Sequence, residues 1–128
     1  MWIFTRYGFF SIACARGRNG GTDPNLVMVR SRMKEHLQNL RHRFPALQGI
    51  ETREDELTDY RYRMIVPKSL WTSILVQLAE EQTWSNFKNE AAAYQREHSQ
   101  PGRYMDALRR VWEVMLNLQR GSKYGPQD

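Results

Sequence analysis

The spacing of apolar residues changes along this chain, and any fold it adopts has to satisfy two periods. Near the start, Phe10, Ile12 and Cys14 share one parity while Phe9, Ser11 and Ala13 share the other. A strand sends such alternating sets to opposite faces. Further on, Met33, Leu37, Leu40 and Phe44 follow one another at intervals of four, three and four, which is a single stripe of a helix. A sheet with one apolar face and helices with one apolar stripe bury both surfaces by packing together.

Residues 2–15 read as two short strands meeting at Tyr7-Gly8, or as one long strand bent at the glycine. The run 16–25 holds Gly17, Gly20, Gly21 and Pro24 and predicts a connector. Residues 26–30 predict a strand returning antiparallel. Ser31 is placed to cap the helix that follows, because its oxygen can accept one of the exposed amide hydrogens, and Pro45 should stop that helix. Residues 48–53 predict another strand and 58–66 a clearer one, in which Tyr60, Tyr62 and Met64 alternate with Arg61, Arg63 and Ile65. Glu54-Asp55-Glu56 reads as a solvated turn.

The second half is helical. Leu70, Trp71, Ile74, Leu75 and Leu78 form one face within residues 68–81, and Trp84, Phe87, Ala91 and Tyr94 form the next. Tyr104, Leu108, Val111, Met115 and Leu118 form a third over 103–119, with Trp112 beside the stripe. The expectation is an α+β fold: an antiparallel sheet of roughly four strands against about four helices, the last two or three of them C-terminal. Residues 1–119 make one domain and 120–128 a flexible tail. The periodicity does not separate a core face from a dimer face, so oligomeric state stays open.

Composition narrows the function classes. The 128 residues carry a net charge of +5 and include no apolar run of the length a bilayer requires. The opening MWIFTRYGFFSIACA is interrupted by Arg6 and reads as strand rather than export signal. Cys14 is the lone cysteine, so an intrachain disulfide is excluded and a reducing, cytoplasmic setting fits. No phosphate-binding loop, dinucleotide fingerprint, HExxH run or paired-cysteine motif is present, and His36, His42 and His98 are widely spaced. Neither a cofactor nor a metal is expected. Cys14 sits in an apolar strand pattern and reads as packing rather than nucleophile.

Two groups of polar residues remain. Residues 1–45 contain eight Arg/Lys and two Asp/Glu, and Arg16, Arg18, Arg30, Arg32, Lys34, Arg41 and Arg43 are the candidate basic binding surface. Such side chains neutralise phosphate charge, and Tyr7, Tyr60 or Tyr62 would stack on a base if exposed. The second group joins Asp59 and Arg61, at the start of a strand, to Asn86, Lys88, Asn89 and Glu90, near a helix start, as a candidate polar pocket. No nucleophile–base pair is visible, so catalysis is left undecided.

The segments GFFSI, TDYRYRMIVP and WSNFKNEAAAYQ, in a sheet-then-helices order, resemble a family of short uncharacterised bacterial proteins that begin near a Met-Trp-aromatic segment. The resemblance covers most of residues 1–118 and is strongest at 8–12, 58–63 and 86–89. It implies no established activity and transfers no catalytic residue. The first expectation is thus a non-enzymatic binding or regulatory protein engaging a protein, nucleoprotein or nucleic-acid partner through its basic surface, without a membrane. The alternatives are a small-ligand enzyme or sensor using the polar pocket, and a phage- or mobile-element-encoded inhibitor that occupies a host defence complex.

Overall fold

A computed structural model describes residues 1–120 of the chain. Its first turn is built around Thr5. The Thr5 hydroxyl accepts from the amides of Tyr7 (3.1 Å) and Gly8 (3.2 Å) and donates to the Gly8 carbonyl (2.9 Å). This closes a two-residue loop between β1 (Trp2–Thr5) and β2 (Gly8–Arg16), which pair antiparallel. The opening segment is therefore a hairpin rather than one bent strand, and the sheet has five strands instead of four.

β3 (Thr22–Ser31) returns along β2 and begins well before the expected residue 26. A bulge accounts for this: Cys14 pairs with Val27, but its neighbour Ala15 pairs with Asp23, so residues 24–26 bow out of the β2 ladder. Pro24, which lacks an amide hydrogen, is not asked to donate there. Ser31 does not cap the following helix. Its hydroxyl accepts from the Met33 amide (3.2 Å) and donates to the Met33 carbonyl (2.9 Å), which fixes the strand-to-helix turn. Met33 is the cap residue of α1 (Lys34–Arg43) and supplies no side-chain bond.

Pro45 ends that helix as expected but opens a single 3-10 turn, Pro45–Leu47, whose Leu47 is fully buried. Amides of Gln48 and Ile50 then bond back to Pro45 and Leu47. Those turn bonds leave only β4 (Arg53–Glu54) of the expected 48–53 strand. β5 (Tyr62–Pro67) starts later than residue 58, because the Asp55 and Thr58 turn bonds hold residues 55–60 in a loop. α2 (Lys68–Glu80) follows directly.

The strand order is β1-β2-β3-β5-β4, antiparallel throughout. One face carries Phe10, Ile12, Val27, Val29, Met64 and Val66, all buried, with Leu37 and Leu40 of α1 and Trp71 and Ile74 of α2 equally dry. Each such side chain contributes about 1.5–3 kcal/mol by leaving water. The other face carries Trp2, Phe4, Phe9, Ala13, Met28, Arg30, Arg63 and Ile65, all of them partly or largely exposed. The fold is α+β, with two of its four helices C-terminal to the sheet and its two helices.

Two compact units divide the chain, Met1–Ser85 and the remainder from Asn86. In the second, Asn86 caps α3 (Phe87–Glu97) by accepting from the Asn89 amide at 2.9 Å. α3 contacts α4 (Arg103–Arg120). Along the expected α4 stripe only Tyr104 and Leu108 are buried, whereas Met115 and Leu118, with Trp112 beside them, are more than half exposed. The expected tail begins at Arg120, the last residue of α4; its remainder, 121–128, lies outside the described residues. Among the described residues no helix is long and apolar enough to cross a membrane.

Gly8 at the start of β2 is packed against His36 of α1. Gly8 has φ +150°, and a Cβ built there would stand 2.2 Å from His36 Cγ. The Phe9 amide also donates to His36 Nδ1 at 3.2 Å. Gly8→Ala should therefore destabilise by ~2–4 kcal/mol, from overpacking plus backbone strain. Gly21→Ala, with nothing within 4 Å of its added methyl, should stay within about 0.5 kcal/mol of wild type. Urea unfolding of both variants measures the difference, and equal midpoints would contradict the packing account.

His36 also predicts a pH dependence. Burial lowers its pKa from 6.5 to about 4, offset in part by the Glu35 carboxylate. The unfolded chain then takes up the proton first as pH falls. Stability is full above the unfolded value and declines as pH drops from 6.5 toward 4. Between pH 7 and pH 5 the loss should be about 2 kcal/mol, read as a falling urea midpoint. An unchanged midpoint over that interval would contradict it.

Candidate basic-aromatic interface

Because β3 lies between β2 and β5, its outward residues sit at the middle of the half-exposed face. Trp2 pairs with Ser11, Ser11 with Arg30, Arg30 with Arg63, and Arg63 with Arg53. Each of the five strands thus contributes one residue to a single row, and paired residues point to the same face. At about 4.8 Å per strand, the row runs ~14 Å from Trp2 to Arg63. Aromatic residues stand at the β1 end and arginines at the β5 end.

Tyr60 joins the two ends. Its ring is buried, 6.4 Å from Phe9, which itself stacks on Phe4 (4.6 Å) and meets Trp2 edge-on (5.8 Å). The guanidinium of Arg30 lies 4.8 Å from the Tyr60 ring centre and that of Arg32 4.5 Å. Attraction of each cation to the ring contributes about 0.5–2 kcal/mol. Arg30 is fixed further by Ser11, donating to its hydroxyl at 2.9 Å and its carbonyl at 3.4 Å. Arg32 donates to the Asp59 carbonyl at 3.1 Å. Arg63 donates from one Nη to Thr58 Oγ1 (2.7 Å) and the Tyr60 carbonyl (3.0 Å).

Every one of these acceptors is neutral. Among the described residues, no carboxylate forms an ion pair with Arg30, Arg32 or Arg63. Arg63 Nε is shielded from solvent and has no acceptor among the described residues. Several arginines elsewhere in this unit do have carboxylate partners. Arg61 donates to Glu54 at 2.7 Å and lies 3.7 Å from Glu56. Arg53, at the far end of the row, is 4.0 Å from Glu51. Glu81 is shared by Arg43 (2.9 Å) and Arg6 (3.4 Å) and accepts from the Tyr7 hydroxyl at 2.7 Å. Three guanidiniums without a carboxylate partner among the described residues therefore gather around Tyr60, while Arg41, which likewise meets only neutral acceptors, stands on α1.

The seven expected basic residues are dispersed. Arg30 and Arg32 converge on Tyr60. Arg16 and Arg18 lie at the far tip of the β2–β3 hairpin, ~17 Å along the strand from the Ser11–Arg30 pair. Lys34 opens α1, and Arg41 near its end donates to the Gln48 carbonyl (2.7 Å) and Thr52 (3.1 Å). Arg41 also lines a shallow surface hollow with Gln38, His42 and Gln48. Arg43 is committed to Glu81. Arg63, Trp2 and Phe9 belong to the candidate interface but not to the expected set. Their signal was parity: Arg63 alternates with the buried Met64, and Phe9 with the buried Phe10.

The polar-pocket residues fall in both units. Asp59 gives its carbonyl to Arg32, and Arg61 is held by Glu54 and Glu56. Asn86 caps α3 through the Asn89 amide, and Lys88 lies 4.8 Å from the Trp112 ring centre. Glu90 is in the first turn of α3. Each of these contacts has a structural purpose within its own unit.

The Tyr7–Glu81 cluster is polar and partly sheltered but not poised for proton transfer at neutral pH. Burial, then the hydrogen bond to Glu81, pushes the Tyr7 pKa up to about 12. Asn39 donates to the Tyr7 carbonyl at 3.0 Å, and Arg6 lies 5.1 Å from the Trp84 ring centre. These bonds tie the hairpin turn to the ends of α1 and α2. Cys14 is half-buried on β2. Among the described residues no group of three or more His, Cys, Asp or Glu is placed to hold a metal.

The chain matches no protein-family model, no curated protein and no solved structure.

Proposed function

We propose that this chain is a non-enzymatic binding protein whose contact surface is the arginine–aromatic face of the sheet, and that its partner is an acidic macromolecule. The observation that carries the reading is the set of three guanidiniums, Arg30, Arg32 and Arg63, held around Tyr60 by neutral acceptors alone. Their hydrogen bonds fix the geometry and leave the charge in place. A surface of fixed, uncompensated cations attracts an anionic partner over distance and orients it on contact. The adjoining Phe9, Phe4 and exposed Trp2 supply apolar area of the kind enriched at the centres of interfaces.

This moves the binding surface from the N-terminal basic segment to residues that the strand register brings together. The small-ligand reading lacks a comparable observation, since Asp59, Arg61, Asn86 and Asn89 are occupied by turn, ion-pair and cap contacts.

Heparin, a simple polyanion, tests the surface directly. Arg30→Gln/Arg32→Gln should weaken binding at least about tenfold, the loss of charge-assisted contacts, and should flatten its salt dependence. Arg16→Gln/Arg18→Gln removes the same formal charge and should change affinity less than about twofold. Titration calorimetry at low salt measures both. Equal weakening by the two pairs would mean that net charge, and not this face, governs binding.

A further inference from the structure

The row across the sheet has two chemically different ends, and a partner that satisfies both needs two kinds of group at short range. At one end Trp2 is 69 % exposed, its ring perpendicular to that of Phe9, and so offers indole surface to a flat ring. At the other, Arg30 and Arg63 are adjacent across β3 and β5, with Arg32 on the same Tyr60 ring. Ser11 separates the ends; it is buried and its oxygens are taken by Arg30. An acidic polypeptide would supply charge for the arginines but has no regular array of flat rings for the tryptophan. A membrane surface would supply phosphates but no rings.

Resting on the proposal that this face binds an acidic partner, we infer that the partner is a single-stranded nucleic acid, laid across the strands with a base stacked on Trp2 and backbone phosphates on Arg30, Arg32 and Arg63. Every base offers a π face, so stacking of this kind tolerates sequence, while guanidiniums form paired hydrogen bonds with phosphate oxygens. A paired duplex hides its base faces and can satisfy only the arginine end. The ~14 Å between Trp2 and Arg63 makes the contact a few nucleotides long. The site reads rings and phosphates, which DNA and RNA share, so the sugar makes little difference.

Fluorescein-labelled dT12 and rU12, followed by anisotropy at low salt on the full chain, provide the test. Both strands should bind with similar affinity, and a duplex of the same length should bind several-fold more weakly. Trp2→Ala should weaken dT12 binding roughly tenfold, the usual scale for losing one base–aromatic stack. Trp2→Phe should recover most of that loss, which a folding defect would not allow. Trp112→Ala, which removes an exposed tryptophan of α4, should leave binding unchanged. Arg32→Ala should reduce the slope of log affinity against log salt by about 0.7, the value for one single-strand phosphate contact.

Three results would overturn the inference: duplex binding as tight as single strand, full affinity in Trp2→Ala, or no binding of either oligonucleotide. If heparin binding still depended on Arg30 and Arg32 while both oligonucleotides failed, the face would serve an acidic protein. If heparin binding failed to depend on them as well, the proposed interface itself would fall.

Discussion

Phe10, Ile12, Val27, Val29, Met64 and Val66 are dry on one side of the sheet, and a strand that buries every second residue has no choice about the others. Their burial drives Phe9, Ser11, Met28, Arg30, Arg63 and Ile65 to the opposite side. Slipping β3 or β5 by one residue would place Arg30 or Arg63 among the methyl groups of the core, at a cost of several kcal/mol for an unpaired buried charge. Register is thus fixed by the core, and the register decides which arginines become neighbours. Gly8 and His36 extend the same constraint to α1. The absence of a Cβ lets the imidazole lie against the backbone at the start of β2, so the hairpin turn and the helix are seated together.

Loop chemistry completes what register begins. Tyr60 precedes β5, and residues 55–60 would be free to wander without their own bonds. The Asp55 carboxylate accepts from the Leu57 amide at 3.0 Å, and the Asp55 carbonyl from the Thr58 amide at 3.2 Å. Thr58 Oγ1 lies 2.8 Å from both the Asp55 and the Tyr60 carbonyls and accepts from Arg63. These contacts bring the tyrosine ring to the sheet, where Arg30, Arg32 and Phe9 meet it. The candidate interface is therefore a joint product of strand pairing and one compact turn. Neither alone brings the aromatic and cationic ends together.

Much of the fold was legible in the sequence because its signals are local. The alternation at 9–14 placed β2, the four-three-four spacing placed α1, and the three apolar stripes placed α2, α3 and α4 to within a few residues. The misreadings share a cause: side chains and turns that act beyond their own segment. Ser31 had the composition of a helix cap but stands two residues too early, so its hydroxyl bonds the turn instead. Pro24 had the composition of a loop, yet a bulge lets the strand run through it. The candidate interface was half legible. Arg30 and Arg32 stood out through local charge, but Arg63 and Trp2 join them through pairings between residues 30 or more positions apart (Arg30 with Arg63) or across a hairpin (Trp2 with Ser11). Density of charge along the chain pointed instead to Arg16 and Arg18, which strand length carries away from the others.

The chain treats its arginines in two ways, and the contrast bears on how the face is to be understood. Arg6 and Arg43 share Glu81, and Arg61 has Glu54 and Glu56. Carboxylates are thus available to this unit and pair with several of its arginines, although Arg41 and Arg30 join neighbouring segments through neutral acceptors. Asp59 sits beside Arg32 in the fold yet supplies its carbonyl, not an ion pair. Like charges gathered around Tyr60 repel one another by about 1 kcal/mol per pair at water-like screening, and by more where solvent is excluded. The ring quadrupole and neutral acceptors offset part of that repulsion without cancelling the charge. A cluster whose purpose was only to hold β3 to β5 would gain from a single glutamate at this point. Three cations are held there in fixed geometry with no carboxylate partner among the described residues, and under the proposed reading that leaves the counter-charge to be supplied by an anionic partner.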